Sequence, residues 1–198
     1  MPHTIRMLFT AGSARAASNN KKLARLGAEI ANANGIPATF ADLGDYPMPL
    51  YDGDIEETSG IPDNARKLEA LLSAHHGIFI VAPEYNSSIT PLLKNTLDWV
   101  SRIKTPERPQ SWVFRTRVFA LGAVGAGNFG GIRGLSHTRQ VLEIGLGALV
   151  LPDQIAVPNG GQAFEDNGHL KDKRLQEMLK AQIQRLANAS HALRSDAA

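Results

Sequence analysis

Cysteine is absent from the 198-residue chain, which excludes disulfides, thiolate metal sites, iron–sulfur clusters and a cysteine nucleophile. Long apolar runs are missing as well: none approaches the ~20 residues that a membrane-spanning helix requires. The opening stretch, MPHTIRMLFTAGS, has no charged segment leading a long apolar one into a cleavage site. We therefore expect a cytoplasmic protein with no membrane partner. Charge of either sign is in small surplus, 21 Lys+Arg against 19 Asp+Glu for a net charge of +2. The pI near 9.0 reflects that small excess, and nucleic-acid binding would need Lys and Arg clustered on one face. The six histidines, His3, His75, His76, His137, His169 and His191, form no H-E-x-x-H or carboxylate-spaced cluster. No metal site is expected, and His75-His76 reads as a helix end. The Gly-x-x-x-x-Gly-Lys-Ser/Thr loop of nucleoside triphosphatases is lacking, as are internal repeats and low-complexity tracts.

What is present is an ordinary globular composition, 43% hydrophobic and 20% charged, at a length that suits one domain over residues 1–198. Ile5–Thr10 reads as a first strand, and Leu23, Leu26, Gly27 and Ile30 recur at helical spacing until Asn34-Gly35 stops them. Pro37–Leu43 is a weaker strand. Residues 44–62, rich in Gly, Pro, Tyr and acids, read as one long loop. Asp63–His75 is helical, and the apolar run 77–82 is a buried strand that ends not on a plain hairpin turn but on Pro83-Glu84-Tyr85-Asn86. Thr90-Pro91 supplies an N-cap and a first-turn proline for the next helix. Strands over Arg117–Val124 and within Ala148–Val157, and helices over Gly130–Gly145 and Asp172–Leu186, complete the pattern. Alternating strands and helices predict a parallel five-stranded sheet in a three-layer α/β sandwich of strand order 2-1-3-4-5. Ligands of such sheets sit beyond the carboxyl ends of the strands, at the switch between strands 1 and 3.

Three loops reach that edge. The first, Gly12 to Asn20, combines small residues and a helix start with Ser13, Arg15, Ser18 and Asn20, an inventory suited to a phosphate; a plain capped turn is the alternative. The second, Pro83 to Ser88, offers an acid, a ring and an amide that suit the edge and face of a flat heteroaromatic; here a turn that merely caps the next helix is the alternative. The third, Gly125-Ala126-Gly127-Asn128-Phe129-Gly130, spells G-x-G-x-x-G. It does not follow the first strand, and Asp153, about 20 residues on, falls in a Pro-Asp turn rather than at a strand end. The dinucleotide reading is thus set aside in favour of a backbone that closes over a ligand from one side.

Together these stretches resemble the NADPH-dependent FMN reductase family of flavodoxin-like enzymes, which includes bacterial quinone and chromate reductases. The pattern G-S-x-R-x-x-S-x-N-x-x-L falls on Gly12, Ser13, Arg15, Ser18, Asn20 and Leu23. P-E-Y-N-x-S followed by L-K-N-x-x-D-W falls on Pro83-Glu84-Tyr85-Asn86, Ser88, Leu93-Lys94-Asn95 and Asp98-Trp99. Weaker matches lie at Pro49-Leu50-Tyr51-Asp52, Gly130-Gly131 and Arg139 to Leu142, and the likeness spans roughly residues 5 to 190. The resemblance implies FMN as cofactor, its phosphate held by Ser13, Arg15, Ser18 and Asn20. Pro83, Glu84, Tyr85 and Asn86 would border the isoalloxazine ring, with Ser87 a lesser contact. The family's usual Ser-Pro-Gly is replaced by Gly125-Ala126-Gly127, so Gly125 is expected to offer only its backbone. Lys94, Asn95, Asp98 and Trp99 are assigned to packing and a subunit interface.

By the same likeness the activity is hydride transfer from NADPH or NADH to FMN and on to flavin, quinone, chromate or an azo compound. The chemistry belongs to the cofactor, so no obligatory catalytic acid or base is expected. A homodimer or homotetramer is implied. Two rivals remain: a one-electron carrier like flavodoxin, against which the near-neutral charge speaks, and a flavin-free binding protein.

Overall fold

A computed structural model describes residues 4–193; His3 lies outside them. Among the described residues the elements run β1 Met7–Ala11, α1 Asn19–Ala33, β2 Ala38–Asp42, α2 Gly53–Ser59, α3 Asp63–Ser73, β3 Gly77–Val81, α4 Pro91–Ser101, α5 Trp112–Arg115, β4 Val118–Val124, α6 Ile132–Gln140, β5 Leu149–Val157 and α7 Lys173–Ala192. The sheet is parallel, in the order β2-β1-β3-β4-β5, as alternation of strand and helix predicts.

Every residue of β1, β3 and β4 is buried, because both faces of the sheet are covered by helices. Alternate side chains therefore feed two cores. Met7, Phe9, Phe79 and Val81 pack with Leu23, Leu26, Leu179 and Ile183, from α1 and α7. Leu8, Ile78, Ile80 and Leu121 pack with Leu68, Leu93, Leu97 and Leu135, from α3, α4 and α6. The Phe9 and Phe79 rings stack at 5.5 Å, and Gly27 gives α1 room to lie on them, since a Cβ there would stand 2.7 Å from Phe9 Cε1.

Three expectations need correction. The stretch 44–62 is not one loop: a 3-10 turn at Leu43–Asp45 is followed by α2, which Asp52 caps by accepting from the Asp54 N–H. Acids crowding its first turn favour a helix start. The long helix expected to Gly145 is α-helical only to Gln140 and ends in a π-helical turn, Val141–Gly145. Asp153 lies not in a turn but inside β5, paired with Arg185 at 2.5 Å. The irregularity that Pro152 suggests is instead a register shift opposite Phe119–Leu121, for a proline cannot donate to the ladder.

The amino-terminal edge of the sheet is self-contained. His75 Nδ1 lies 2.7 Å from the Leu71 carbonyl and Nε2 lies 3.1 Å from Thr39 Oγ1. A neutral ring with its proton on Nδ1 satisfies both. Burial, then the nearby Arg6 and Arg117 charges, hold its pKa below the ordinary 6.5, against the opposing pull of the Leu71 carbonyl.

Candidate functional site

The first carboxyl-edge loop leaves β1 at Gly12, whose N–H donates to the Val81 carbonyl at 2.9 Å, so it starts beside the end of β3. Thr90 holds it there: Thr90 Oγ1 donates to the Gly12 carbonyl at 2.7 Å and accepts from the Leu93 N–H. Close contact requires glycine, since a Cβ on Gly12 would fall 2.8 Å from Leu93 Cβ. Ser18 is the N-cap of α1 and accepts from the Lys21 N–H. The backbone N–H groups of residues 13–18 have no acceptor among the described residues. Ser13 is a buried residue (3% exposed) whose hydroxyl also lacks a partner among the described residues, and Arg15 is exposed with no ion pair among them. Orphan donors at the positive end of a 15-residue helix are chemically suited to an anion.

Asn20 behaves differently. Its amide Nδ2 donates to the Val124 carbonyl at 3.0 Å and its Oδ1 accepts from the Val124 N–H at 2.8 Å. Both ends of the amide are thus used to dock α1 on the tip of β4. Sequence alone does not reveal this contact, which spans 104 positions.

The second loop is a tight turn, as its plainer reading had it, but it does not cap the next helix, α4, whose N-cap is Thr90. Tyr85 and Ser88 exchange two backbone hydrogen bonds of 3.0 Å, and the central residues Asn86 and Ser87 have φ of 49° and 64°. That is the I′ geometry, in which Asn is at home and a serine is strained by roughly 1–2 kcal/mol. The N–H groups of Glu84, Asn86 and Ser87 have no acceptor among the described residues. Pro83 is buried, while the Tyr85 ring is 47% exposed. An exposed ring beside unused amides is suited to the face and edge of a flat polar ligand. Glu84 turns elsewhere: Oε2 accepts from the Gly134 N–H at 2.9 Å and Oε1 stands 3.3 Å from Arg133 Nε. Its carboxylate thus serves the first turn of α6, not the next helix in the chain.

The glycines of the third loop serve chain crossing. A Cβ on Gly125 would lie 2.8 Å from the Gly130 carbonyl carbon, and one on Gly130 would lie 2.7 Å from that of Ala156. Gly127 has open space and an ordinary φ, so nothing local demands glycine there. A segment with no role in the sequence reading, Asn159-Gly160, braces this loop through the Asn159 N–H to Gly127 O and the Gly160 N–H to Gly125 O. The Asn-Gly-Gly run after β5 was its only advance signal.

Segment 46–62 is tied down on α4. Asn95 Nδ2 and Trp99 Nε1 both donate to the Pro49 carbonyl, and Asn95 Oδ1 accepts from the Tyr51 N–H. Tyr51 packs edge-on against Trp99, with ring centres 4.9 Å apart. Its hydroxyl donates to Glu56, which raises the phenol pKa, and Glu56 also pairs with Arg102. Asn95 and Trp99 are therefore packing residues, as expected, whereas Lys94–Asp98 is a partly exposed i,i+4 pair.

This geometry can grip an anion at one end and a planar ring at the other. Among the described residues no three His, Asp or Glu side chains gather as metal ligands, and no helix is long and apolar enough to cross a membrane. The profile of the NADPH-dependent FMN reductase family matches residues 5–162. An NAD(P)H-dependent FMN reductase of Pseudomonas aeruginosa is 30% identical over 190 residues, 94% of this chain and 95% of that protein. The quinone reductase of Escherichia coli K12 is 33% identical over 155 residues, 76% of each. Among solved structures, the flavoenzyme NAD(P)H:(acceptor) oxidoreductase of Paracoccus denitrificans superposes with a TM-score of 0.77 at 18% identity. The overlap covers 96% of this chain and 99% of that one, a likeness of fold.

Proposed function

The chain belongs to the NADPH-dependent FMN reductase family and is an NAD(P)H-dependent FMN oxidoreductase; from that premise we propose that FMN lies along the crevice between the loops after β1, β3 and β4. The observation that carries the placement is the pairing of two sets of unused donors, N–H groups 13–18 with Ser13 Oγ, and N–H groups 84, 86 and 87, at the ends of neighbouring strands. The first set fits a phosphate dianion. The second fits the carbonyl and nitrogen edge of the isoalloxazine.

The chemistry that FMN supplies when bound is two-electron transfer, a hydride in from NAD(P)H and the electron pair out to an acceptor. The protein's part is to hold and orient. The Ser13 and Ser18 hydroxyls and the Arg15 guanidinium bind the phosphate, with charge-assisted bonds carrying most of the affinity. The backbone N–H groups of Glu84, Asn86 and Ser87 fix the edge of the ring, with the Tyr85 side chain and Pro83 beside it and Gly125 closing the far side by main chain alone. Asn20 keeps the phosphate loop in register with β4. Because the Tyr85 ring stays half exposed, the open face admits a flat nicotinamide or acceptor. A quinone or free flavin fits that opening and is the acceptor class we favour, with chromate and azo compounds as further candidates. Homo-oligomerisation is part of the same reading, supported by the exposed Leu50 (76%) and Phe129 (68%) on carboxyl-edge loops. A cytoplasmic location is also inferred.

Titrating the FMN-free protein with FMN should quench the flavin's fluorescence to a one-to-one end point. Anaerobic NADPH or NADH should then bleach the yellow band, and a quinone should restore it. Protein that takes up no FMN would contradict the placement, and a flavin that neither nucleotide bleaches would contradict turnover.

A further inference from the structure

The turn that borders the proposed flavin ring is held from its outer side by α6. Glu84, only 14% exposed as a side chain, places Oε2 on the Gly134 N–H at 2.9 Å and Oε1 beside Arg133 Nε at 3.3 Å. Ser88 Oγ, at the other end of the turn, lies 2.9 Å from His137 Nδ1. Gly134 is what permits this closeness, since a Cβ there would sit 3.0 Å from both Cα and Cβ of Glu84. The helix is a fixed reference. Leu135 is fully buried, and Arg139 donates to the Leu151 carbonyl of β5 at 2.7 Å.

We propose that the Glu84 side chain has a positioning role: its carboxylate latches the Tyr85–Ser88 turn to the start of α6 and so sets where the backbone of that turn meets the flavin, without the carboxylate itself touching the flavin. This rests on the reading of the crevice as the FMN site. Three physical points lead there. Both carboxylate oxygens already have partners on α6, so the group is held toward the helix. A negative charge at a helix N-terminus is stabilised by the helix dipole and by the first-turn N–H groups, which fixes the carboxylate in that place. The Arg133 guanidinium beside it offsets its charge, so little net field reaches the neighbouring ring. What the latch resists is the strain of Ser87, whose φ of 64° would relax if the turn were let go.

The test compares Glu84→Ala with Glu84→Gln, because a glutamine amide oxygen can still accept from the Gly134 N–H. Amide hydrogen exchange at Tyr85 and Ser88 is measured without FMN; FMN affinity, the visible absorbance band and the flavin midpoint potential are measured with it. Glu84→Ala should speed exchange at both amides and weaken FMN about tenfold, near the loss of one charge-assisted hydrogen bond. Glu84→Gln should restore most of the protection and affinity and leave the midpoint potential unchanged. If both variants raise the potential equally while exchange stays at the parent rate, Glu84 acts on the flavin directly and the proposal is overturned. Parent-like exchange and affinity in Glu84→Ala overturn it too. Should Glu84→Ala not fold, Gly134→Ala presses on the same contact from the helix side and must show the same faster exchange and weaker binding. A parent protein that takes up no FMN overturns the reading of the crevice instead, while exchange in the FMN-free protein still decides whether the latch exists.

Discussion

The segments Pro83–Ser88 and Leu93–Trp99 lie close together in sequence, both match one family signature, and the fold separates their work. In the first, the Glu84, Asn86 and Ser87 amides have no acceptor among the described residues and Tyr85 is half exposed. In the second, Trp99 is wholly buried, and its indole N–H and the Asn95 amide are taken up by Pro49 and Tyr51. The pairing state of the polar groups makes the difference. A buried or strained polar group whose partners lie within the chain stabilises the fold, whereas donors held out without partners are available to a ligand.

That contrast breaks most easily at Trp99. Trp99→Ala removes a fully buried indole, its bond to Pro49 and its contact with Tyr51, and should destabilise the fold by about 3–5 kcal/mol. The urea midpoint measures the loss, and FMN affinity of the molecules still folded should change little. An equal fall in affinity would show that the two segments do not divide their roles.

Arg15→Ala is the opposite case, an exposed side chain without an ion pair among the described residues. It should weaken FMN by about tenfold to a hundredfold, the range of hydrogen bonds to charged groups, and leave the urea midpoint where it was. Riboflavin, which lacks the phosphate, should not distinguish mutant from parent. A mutant that loses riboflavin as well would move Arg15 away from the phosphate.

The smallest effect concerns the amino-terminal edge, far from either segment. The folded pKa of His75 lies below the ordinary value of 6.5, so near and below that pH the unfolded chain binds a proton that the folded chain does not. Stability from this group is complete above about 6.5 and falls as pH drops toward the folded pKa. Urea midpoints between pH 7.5 and 5 should decline in the parent and less steeply in His75→Gln. The FMN end point should be indifferent to that substitution.

Part of the candidate site was legible in advance. Gly12, Ser13, Arg15 and Ser18 announce a helix start with spare donors, and the apolar run 77–82 places Pro83 to Asn86 at a strand end. Their neighbours were not legible. Asn20 and Val124, and Glu84 and Gly134, meet across 104 and 50 positions, and a polar side chain carries no mark in the sequence of the partner it will find. The same gap explains why Asn159-Gly160 went unnoticed and why the I′ form of the turn was not foreseen. Its signal is glycine at the central positions, and Asn86-Ser87 has none.

By itself the sequence determined the alternation of strands and helices, the order of the sheet and the edge to which the three candidate loops run. Those follow from side-chain periods of 2 and 3.6 and from the right-handed crossover, which act over a few residues at a time. Only the tertiary structure decided which donors remain open and which are consumed, because hydrogen bonding is a matter of a few tenths of an ångström between groups that folding alone brings together.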